Sequence, residues 1–428
     1  MELNSLPGFR DFFPEEMRRR RYIVGVWRAV AARYGFDEYD GPPLEPLDLY
    51  TRKSGDEIVS QLYQFEDKGG REVALRPEMT PTFARMVGAR AGGLPKPIRW
   101  FSVPQLFRYE KPQKGRLREH FQLNMDIVGE SDASADAEII AAAIDGLRAF
   151  GLTAADVVVR LSDRRLIAAY LLDLGAEAER IPEILTVIDR LDKEDPAEIA
   201  RRLEATGLDA EQIARIQAFG SGGVHLEDFM TLESDEAEAA LEGLTSVLSA
   251  LEAFGLADFV TFDPTLVRGL AYYTGTVFEI WDRQGEFRAI CGGGRYDGLL
   301  AAIGGPDLPA LGFGMGDVVL GELLAARGLL PDAPPSIQDF VIIVTPDERP
   351  LGLRAAHELR DAGRRVAWDF AGRSVSRQFK AANQLGAERA IVIGPEEAAE
   401  GAALVRDLGS GTEQKMTLAE LVAAAAAR

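Results

Sequence analysis

The run FRYEKPQKGRLREHFQLN, Phe107 to Asn124, puts five cations (Arg108, Lys111, Lys114, Arg116 and Arg118) into eighteen residues of a chain whose formal net charge is −20. Two strand-like arms, WFSVPQLFRYE and FQLNMDIVG, flank a loop that carries Pro112 and Gly115. Charges on the arms can converge on one face of a sheet, and cations on the loop can fold over it. Arginine's planar fork holds a phosphate through two parallel hydrogen bonds, so Arg108 and Arg116 suit a polyphosphate better than lysines would. A solvated hairpin tip would carry the same charges without a ligand, and charge count alone leaves both readings open.

The elements around this run must position it. Ile23, Trp27, Val30 and Tyr34 recur at helical spacing, with Pro14 to open a helix over 13–34 and Gly35 to end it. DGPPLEP (40–46) can only be a turn or a strand edge. VALRPEM, IRWFSVPQLFRYE and FQLNMDIVG then alternate with turns, the pattern of an antiparallel sheet rather than of βαβ units. A helix is expected over 136–150. The segment 162–258 is helical by pattern, with Leu241, Leu244, Leu248 and Leu251 as one apolar stripe and acids in the first turn after Ser234. Sheet-like sequence returns at VTFDPTLVRGLAYYTGTVFEIWD. The proline-rich LLPDAPPSIQ (329–338) reads as a linker. Beyond it FVIIVTP, RVAWDF and RAIVIG alternate with helical stretches as β-α-β-α-β-α, a small α/β domain.

A chain of 428 residues has room for two or three domains. Its single cysteine, Cys291, excludes an internal disulfide and reads as a small core residue in a reducing compartment. The start, MELNSLPGFRDFFPEE, lacks the apolar core of a signal peptide. No stretch approaches the roughly 20 apolar residues of a membrane span, so the expected location is the cytoplasm, with no membrane partner. Three histidines far apart (His120, His225, His357) make a histidine-based metal site unexpected, and no metal is assigned to protein side chains. The net charge of −20 opposes a polyanion, but it is unevenly spread. Residues 162–258 hold 22 acids and 8 bases, a balance of −14, whereas 336–428 hold 13 and 12, a balance of −1.

FRYEKPQKGRLREHFQ resembles motif 2 of the class II aminoacyl-tRNA synthetases, in the form found in the histidyl-tRNA synthetase family. The resemblance spans nearly the whole chain. GFRDFFPEE resembles that family's start, and DGPPLEP, with Pro42 and Glu45, resembles motif 1. ALRPEMT (74–80) is similar to the loop that meets substrate histidine. LVRGLAYYTGTVFE (266–279) and GGGRYDGL (292–299) are similar to histidyl-type signatures, and GRSVSRQFKAANQLGA (372–387) to the anticodon-binding domain.

The resemblance implies an α+β fold. A class II synthetase-like antiparallel sheet with flanking helices would occupy 1–328, interrupted by an acidic helical insertion at about 165–257. A linker (329–338) and an anticodon-binding-like α/β domain (339–428) would follow. It implies a histidine–tRNA ligase that activates L-histidine with ATP to histidyl-adenylate and passes it to tRNA(His). Motif 1 implies a homodimer, and ATP with Mg²⁺ is the implied cofactor set. By the same resemblance Arg108 and Arg268 are catalytic and grip the α-phosphate, with Glu110 and Arg116 on ATP. Glu78, Met79, Thr80, Arg108, Gln122, Asp126, Arg268, Tyr272 and Tyr273 bind histidine. Arg373, Arg377 and Lys380 are candidate tRNA contacts. Such a polar pocket discriminates strongly, because an apolar analogue would leave its buried groups unpaired.

Read as a plain core strand, RGLAYYTGTVFE would send its adjacent tyrosines to opposite faces. Two features depart from the family pattern. The motif 3 helix carries Val318 and Val319 where glutamate and a clamping arginine are usual, and Ala271 stands at an aspartate position. Arg295 or a cation of the motif 2 loop could then hold the γ-phosphate. The rival reading is a histidine-sensing regulatory subunit of ATP phosphoribosyltransferase, a non-catalytic paralogue. Arg268, both tyrosines, the motif 2 cations and the C-terminal domain speak against it.

Overall fold

The computed structural model describes residues 4–51, 56–191, 194–220, 224–267, 272–331 and 337–426. The chain divides into two compact units, Met1–Pro331 and Asp332–Arg428. Part of the expected linker, 332–336, lies outside the described residues.

The first unit opens with the helix Pro14–Arg33, started by Pro14 and buried along Ile23, Trp27, Val30 and Ala31. Its strands follow as β1 (Asp37–Glu38), β2 (Leu44–Pro46), β3 (Tyr63–Glu66), β4 (Glu72–Leu75), β5 (Ile98–Ser102), β6 (Gln105–Phe107), β7 (Glu119–Val128), β8 (Val157–Asp163), β9 (Val260–Phe262), β10 (Thr276–Asp282), β11 (Cys291–Arg295) and β12 (Ala310–Gly316). Among the described residues, β1-β5-β7-β12-β11-β10-β8-β9 form one sheet, β6 pairs with β7, and β2-β4-β3 form a small separate sheet. The pairing is antiparallel, as expected, except at the two edges. There β1 with β5 and β8 with β9 run parallel.

The helix Ala133–Arg148 packs behind the sheet and is buried on most of its circumference. It starts three residues before the expected position, because the Asp132 carboxylate caps it by accepting from the Ser134 N–H at 2.9 Å. The acidic segment is helical between β8 and β9. In its long helix Asp235–Ala253 the inward stripe is Ala237, Ala240, Leu244, Val247 and Leu251. Leu241 and Leu248, expected within that stripe, flank it and are partly buried. Leu166, Ile184, Ile199, Leu244 and Leu251 belong to the same hydrophobic core as Ile140, Met125 and Leu320. The insertion is thus fused to the sheet layer rather than a separate body.

The second unit holds β13 (Asp339–Ile343), β14 (Val366–Trp368), β15 (Arg389–Ile393), β16 (Ala402–Asp407) and β17 (Glu413–Thr417), in the order β14-β13-β15-β16-β17. The first three pair in parallel, as the alternating pattern predicts. The antiparallel β16 and β17 were not expected. β17 is a polar edge strand, EQKMT, mostly exposed, so it carries no buried-face signal.

Candidate active site

Position alternates along a strand with period two, so residues 122, 124 and 126 of β7 share a face. Gln122, Asn124 and Asp126 all line one cavity. The neighbouring β12 supplies its floor through Gly312, Phe313 and Gly314, and β11 through Gly292. Glu78 and Thr80 enter from the start of the helix Thr80–Arg90, Arg108 from the end of β6, and Tyr272, Tyr273 and Tyr296 close the wall. A methyl group on Gly312 would collide with Asp126 Oδ1, and one on Gly314 would lie 2.7 Å from Gln122 Nε2. The glycines of LGFGMG are therefore what lets the two side chains lie across β12.

Asp126 is fully buried. Its Oδ1 accepts from the Tyr296 hydroxyl at 2.5 Å, and its Oδ2 has no hydrogen-bond partner among the described residues. Burial pushes its carboxyl up to about 7, against the opposing pull of the Tyr296 hydrogen bond. Tyr272 donates to Glu78 Oε2 at 2.7 Å. Burial, reinforced by Glu78, holds Tyr272 and Tyr273 well above the ordinary phenol value, so both remain neutral donors. Arg108 Nε donates to the Pro77 carbonyl at 3.0 Å, which turns the guanidinium toward the cavity. Beside it, burial and then the charges of Arg108 and Arg10 lower His120 to about 3, so that imidazole is neutral.

The loop over the site is tied down. Arg116 pairs with Glu110. Arg118 donates to the Glu110 carbonyl at 3.0 Å and stacks on Tyr109 at 4.3 Å. Lys114 lies 5.0 Å over the Phe287 ring. Gly115, with φ of 72°, sits in the left-handed region that favours glycine and donates to Glu322 Oε1 at 3.3 Å.

Of the residues expected on histidine, Glu78, Thr80, Arg108, Gln122, Asp126, Tyr272 and Tyr273 come together in the cavity. Met79 does not line it; its side chain is fully buried in the core. Arg268 and Ala271 lie outside the described residues. The two tyrosines are not on a strand, so the plain core-strand reading does not hold, and both reach the cavity. Arg295 corrects another expectation. It is 7% exposed, pairs with Asp136 and donates to the Glu130 carbonyl at 3.0 Å, and so it belongs to the core rather than to a phosphate. Sequence reasoning missed Asn124, Tyr296 and the β12 glycines. Asn124 was legible from its place midway between Gln122 and Asp126, and Tyr296 stood within GGGRYDGL. In the second unit Arg373, Arg377 and Lys380 are exposed, with Arg373 Nε 3.0 Å from Asp369 Oδ1 and the other two on the helix Val375–Gln384.

A family model described as histidyl-tRNA synthetase matches residues 8–316, and one described as anticodon binding domain matches 338–428. The chain belongs to the histidyl-tRNA synthetase family. The family's reaction, the ATP-dependent ligation of histidine to tRNA, is the activity of this chain. A histidine–tRNA ligase of Opitutus terrae is 46% identical over 96% of this chain and 94% of its own length. One of Haloarcula marismortui is 40% identical over 97% and 96%. The crystal structure of a Nostoc histidyl-tRNA synthetase is similar with a TM-score of 0.84 and 26% identity, covering 99% of both chains. The regulatory-subunit reading is not favoured by relatives of this identity and coverage.

Proposed function

We propose that the cavity under β7 and β12 is the histidine site of this synthetase and that the nucleotide lies beyond Arg108, beneath the 108–118 loop. The observation that carries this is the buried Asp126, which lines the cavity beside Glu78, Gln122, Asn124 and Tyr273 and whose Oδ2 has no hydrogen-bond partner among the described residues. Leaving such an atom unpaired costs about 1–3 kcal/mol, a cost removed when an imidazole N–H donates to it. Tyr273 stands ready for the other ring nitrogen. At the opposite end Glu78, Thr80 and Gln122 take the α-ammonium, which leaves the substrate carboxylate directed to Arg108.

Activation joins a carboxylate oxygen of histidine to the α-phosphorus of ATP and breaks the bond to pyrophosphate. Charge accumulates on the phosphate oxygens, so preorganised cations are the main resource. Arg108 supplies one on the described face, and the resemblance assigns the other to Arg268. Glu110 and Arg116 hold the loop over the nucleotide. In the second step the terminal ribose hydroxyl of tRNA(His) attacks the histidyl carbonyl, AMP leaves and a proton is released. Among the described residues no group of three histidine, cysteine or carboxylate side chains would hold a metal ion. Mg²⁺ would enter as part of its complex with ATP, where it would relieve repulsion in the departing pyrophosphate.

The unit Asp332–Arg428 acts as the anticodon reader, and two copies of the chain pair through the motif 1 region. Supporting the dimer are the motif 1 resemblance and the exposed Leu44 and Phe65 of the small sheet. The cytoplasm is the proposed compartment. Among the described residues no helix is long and apolar enough to cross a membrane. The test is histidine-dependent exchange of pyrophosphate into ATP by the purified chain. Exchange with histidine alone among the amino acids is expected, and its absence from a folded, histidine-binding protein would overturn the reading.

A further inference from the structure

The question raised by the cationic run, which groups meet the polyphosphate, has an incomplete answer in the run itself. Arg116 is paired with Glu110, and Arg118 is spent on a carbonyl and an aromatic ring. Around the same loop Arg10 binds Glu119 at 2.6 Å and Asp317 at 2.9 Å. Arg20 lies between the Phe12 and Phe121 rings, 4.4 Å from each. The helix Asp317–Ala326 offers the loop no cation, since Val319 faces it and is 8% exposed.

One arginine remains at this place. A methyl group on Gly115 would lie 3.4 Å from Val319 Cγ2, 3.7 Å from Arg288 Cδ and 3.9 Å from Glu322 Oε2, so these three side chains surround the loop tip. Arg288 lies on the connection between β10 (Thr276–Asp282) and β11 (Cys291–Arg295), three residues before β11 begins. Phe287, its neighbour, already carries Lys114 of the loop. Arg288 is exposed, and among the described residues it has no hydrogen bond or ion pair.

We propose that Arg288 is a nucleotide-binding residue that grips the terminal phosphates of ATP, supplying from the β10–β11 connection the cation that Val319 does not supply from the helix. The inference rests on the proposed nucleotide site. A planar guanidinium on a short connection anchored by β10 and β11 can take two phosphate oxygens at once, and it adds to the charge that Arg108 provides at the α-phosphate.

Binding of MgATP and of adenosine to the wild type, Arg288→Ala and Arg288→Gln is measured by calorimetry. Exchange kinetics on the same proteins give KM for ATP and for histidine. Both variants are expected to lose at least about tenfold in ATP affinity, in line with one charge-assisted contact. Adenosine affinity and the KM for histidine should stay within about twofold. Adding Val319→Arg to Arg288→Ala should recover part of the ATP affinity. ATP binding within about twofold of wild type would overturn the proposal. So would an equal loss of adenosine, which would mean a base contact, or a lowered thermal midpoint with ATP affinity intact, which would mean a structural partner of Glu322. Wild type that binds ATP but shows no exchange sinks the proposed function while leaving the Arg288 comparison decisive. Wild type that binds no ATP sinks both.

Discussion

Asp126 is held by one hydrogen bond and left open on its other oxygen, and the two facts act together. Burial raises its carboxyl to about 7, so the empty site holds it half protonated near neutrality. An imidazole N–H at Oδ2 favours the carboxylate, and an imidazole nitrogen without a proton favours the acid, so the group can answer either ring state of histidine. The sign of its effect on stability follows. In an unfolded chain the same group titrates near 4. Between there and about pH 7 the folded chain holds the extra proton, so stability falls as pH rises through that window. The cost, on the order of 4 kcal/mol for some three pK units, is complete above pH 7. Asp126→Asn removes it. Denaturation midpoints of the two proteins should therefore separate in favour of the variant as pH goes from 5 to 8, while histidine activation falls at least tenfold in it. Midpoints that move in parallel would contradict the assigned burial. His120, lowered to about 3, destabilises the fold in acid with the opposite sign, but it is common to both proteins and cancels in the difference.

The strand β12 decides how much room the site has. Its glycines alternate, and Gly312 and Gly314 lie where any side chain would meet Asp126 or Gln122. Gly312→Ala puts a methyl group 2.6 Å from the Met125 carbonyl as well as into Asp126, so backbone as well as side chain must shift. Overpacking of this kind costs about 1–3 kcal/mol. The expected result is a lower melting midpoint and a loss of histidine-dependent exchange of at least about 100-fold, with ATP binding retained. An active Gly312→Ala would mean that the histidine ring does not lie against β12. These glycines also mark the limit of what the sequence carried. Gln122 and Asp126 were legible because a single strand states its own periodicity. The value of Gly312 depends on which strand lies beside it, and pairing between residues 126 and 312 is not written locally. Tyr272 and Tyr273, named through the family resemblance, lie where the chain is irregular, so no strand periodicity could have pointed to them. The buried cores of the long helices were readable from spacing, except that the stripe in Asp235–Ala253 is rotated onto Ala240 and Val247 by its packing partner. The roles at Arg108 and Glu78 came from family resemblance. Charge and spacing alone left a solvated hairpin open.

At the scale of the whole chain, the two units bury separate hydrophobic clusters. Every residue of the clusters around Val341 and around Phe340 lies beyond 331, and every residue of those around Trp27, Phe83 and Tyr50 lies before it. Among the described residues no core side chain is shared between these clusters, so each unit has the means to fold alone. The described candidate groups for histidine and the nucleotide fall between Glu78 and Gly314, all in the first unit. The charge is divided differently. The helical insertion at −14 repels a polyanion, whereas the C-terminal segment at −1 presents exposed Arg373, Arg377 and Lys380, close in sequence to a Phe370 that is 77% exposed and set edge-on to Trp368 with ring centroids 4.6 Å apart. Cations beside an open aromatic face suit an unpaired RNA base and its phosphate. A chain ending at residue 331 should therefore form histidyl-adenylate at close to the full-length rate, within about threefold in pyrophosphate exchange. Its charging of tRNA should fall by at least about 100-fold, because the proposed cationic contacts to phosphate would be gone. Loss of exchange from a cooperatively folded fragment would mean that the adenylate site depends on the C-terminal unit. Undiminished charging would mean that the tRNA is read by the first unit despite its acidity.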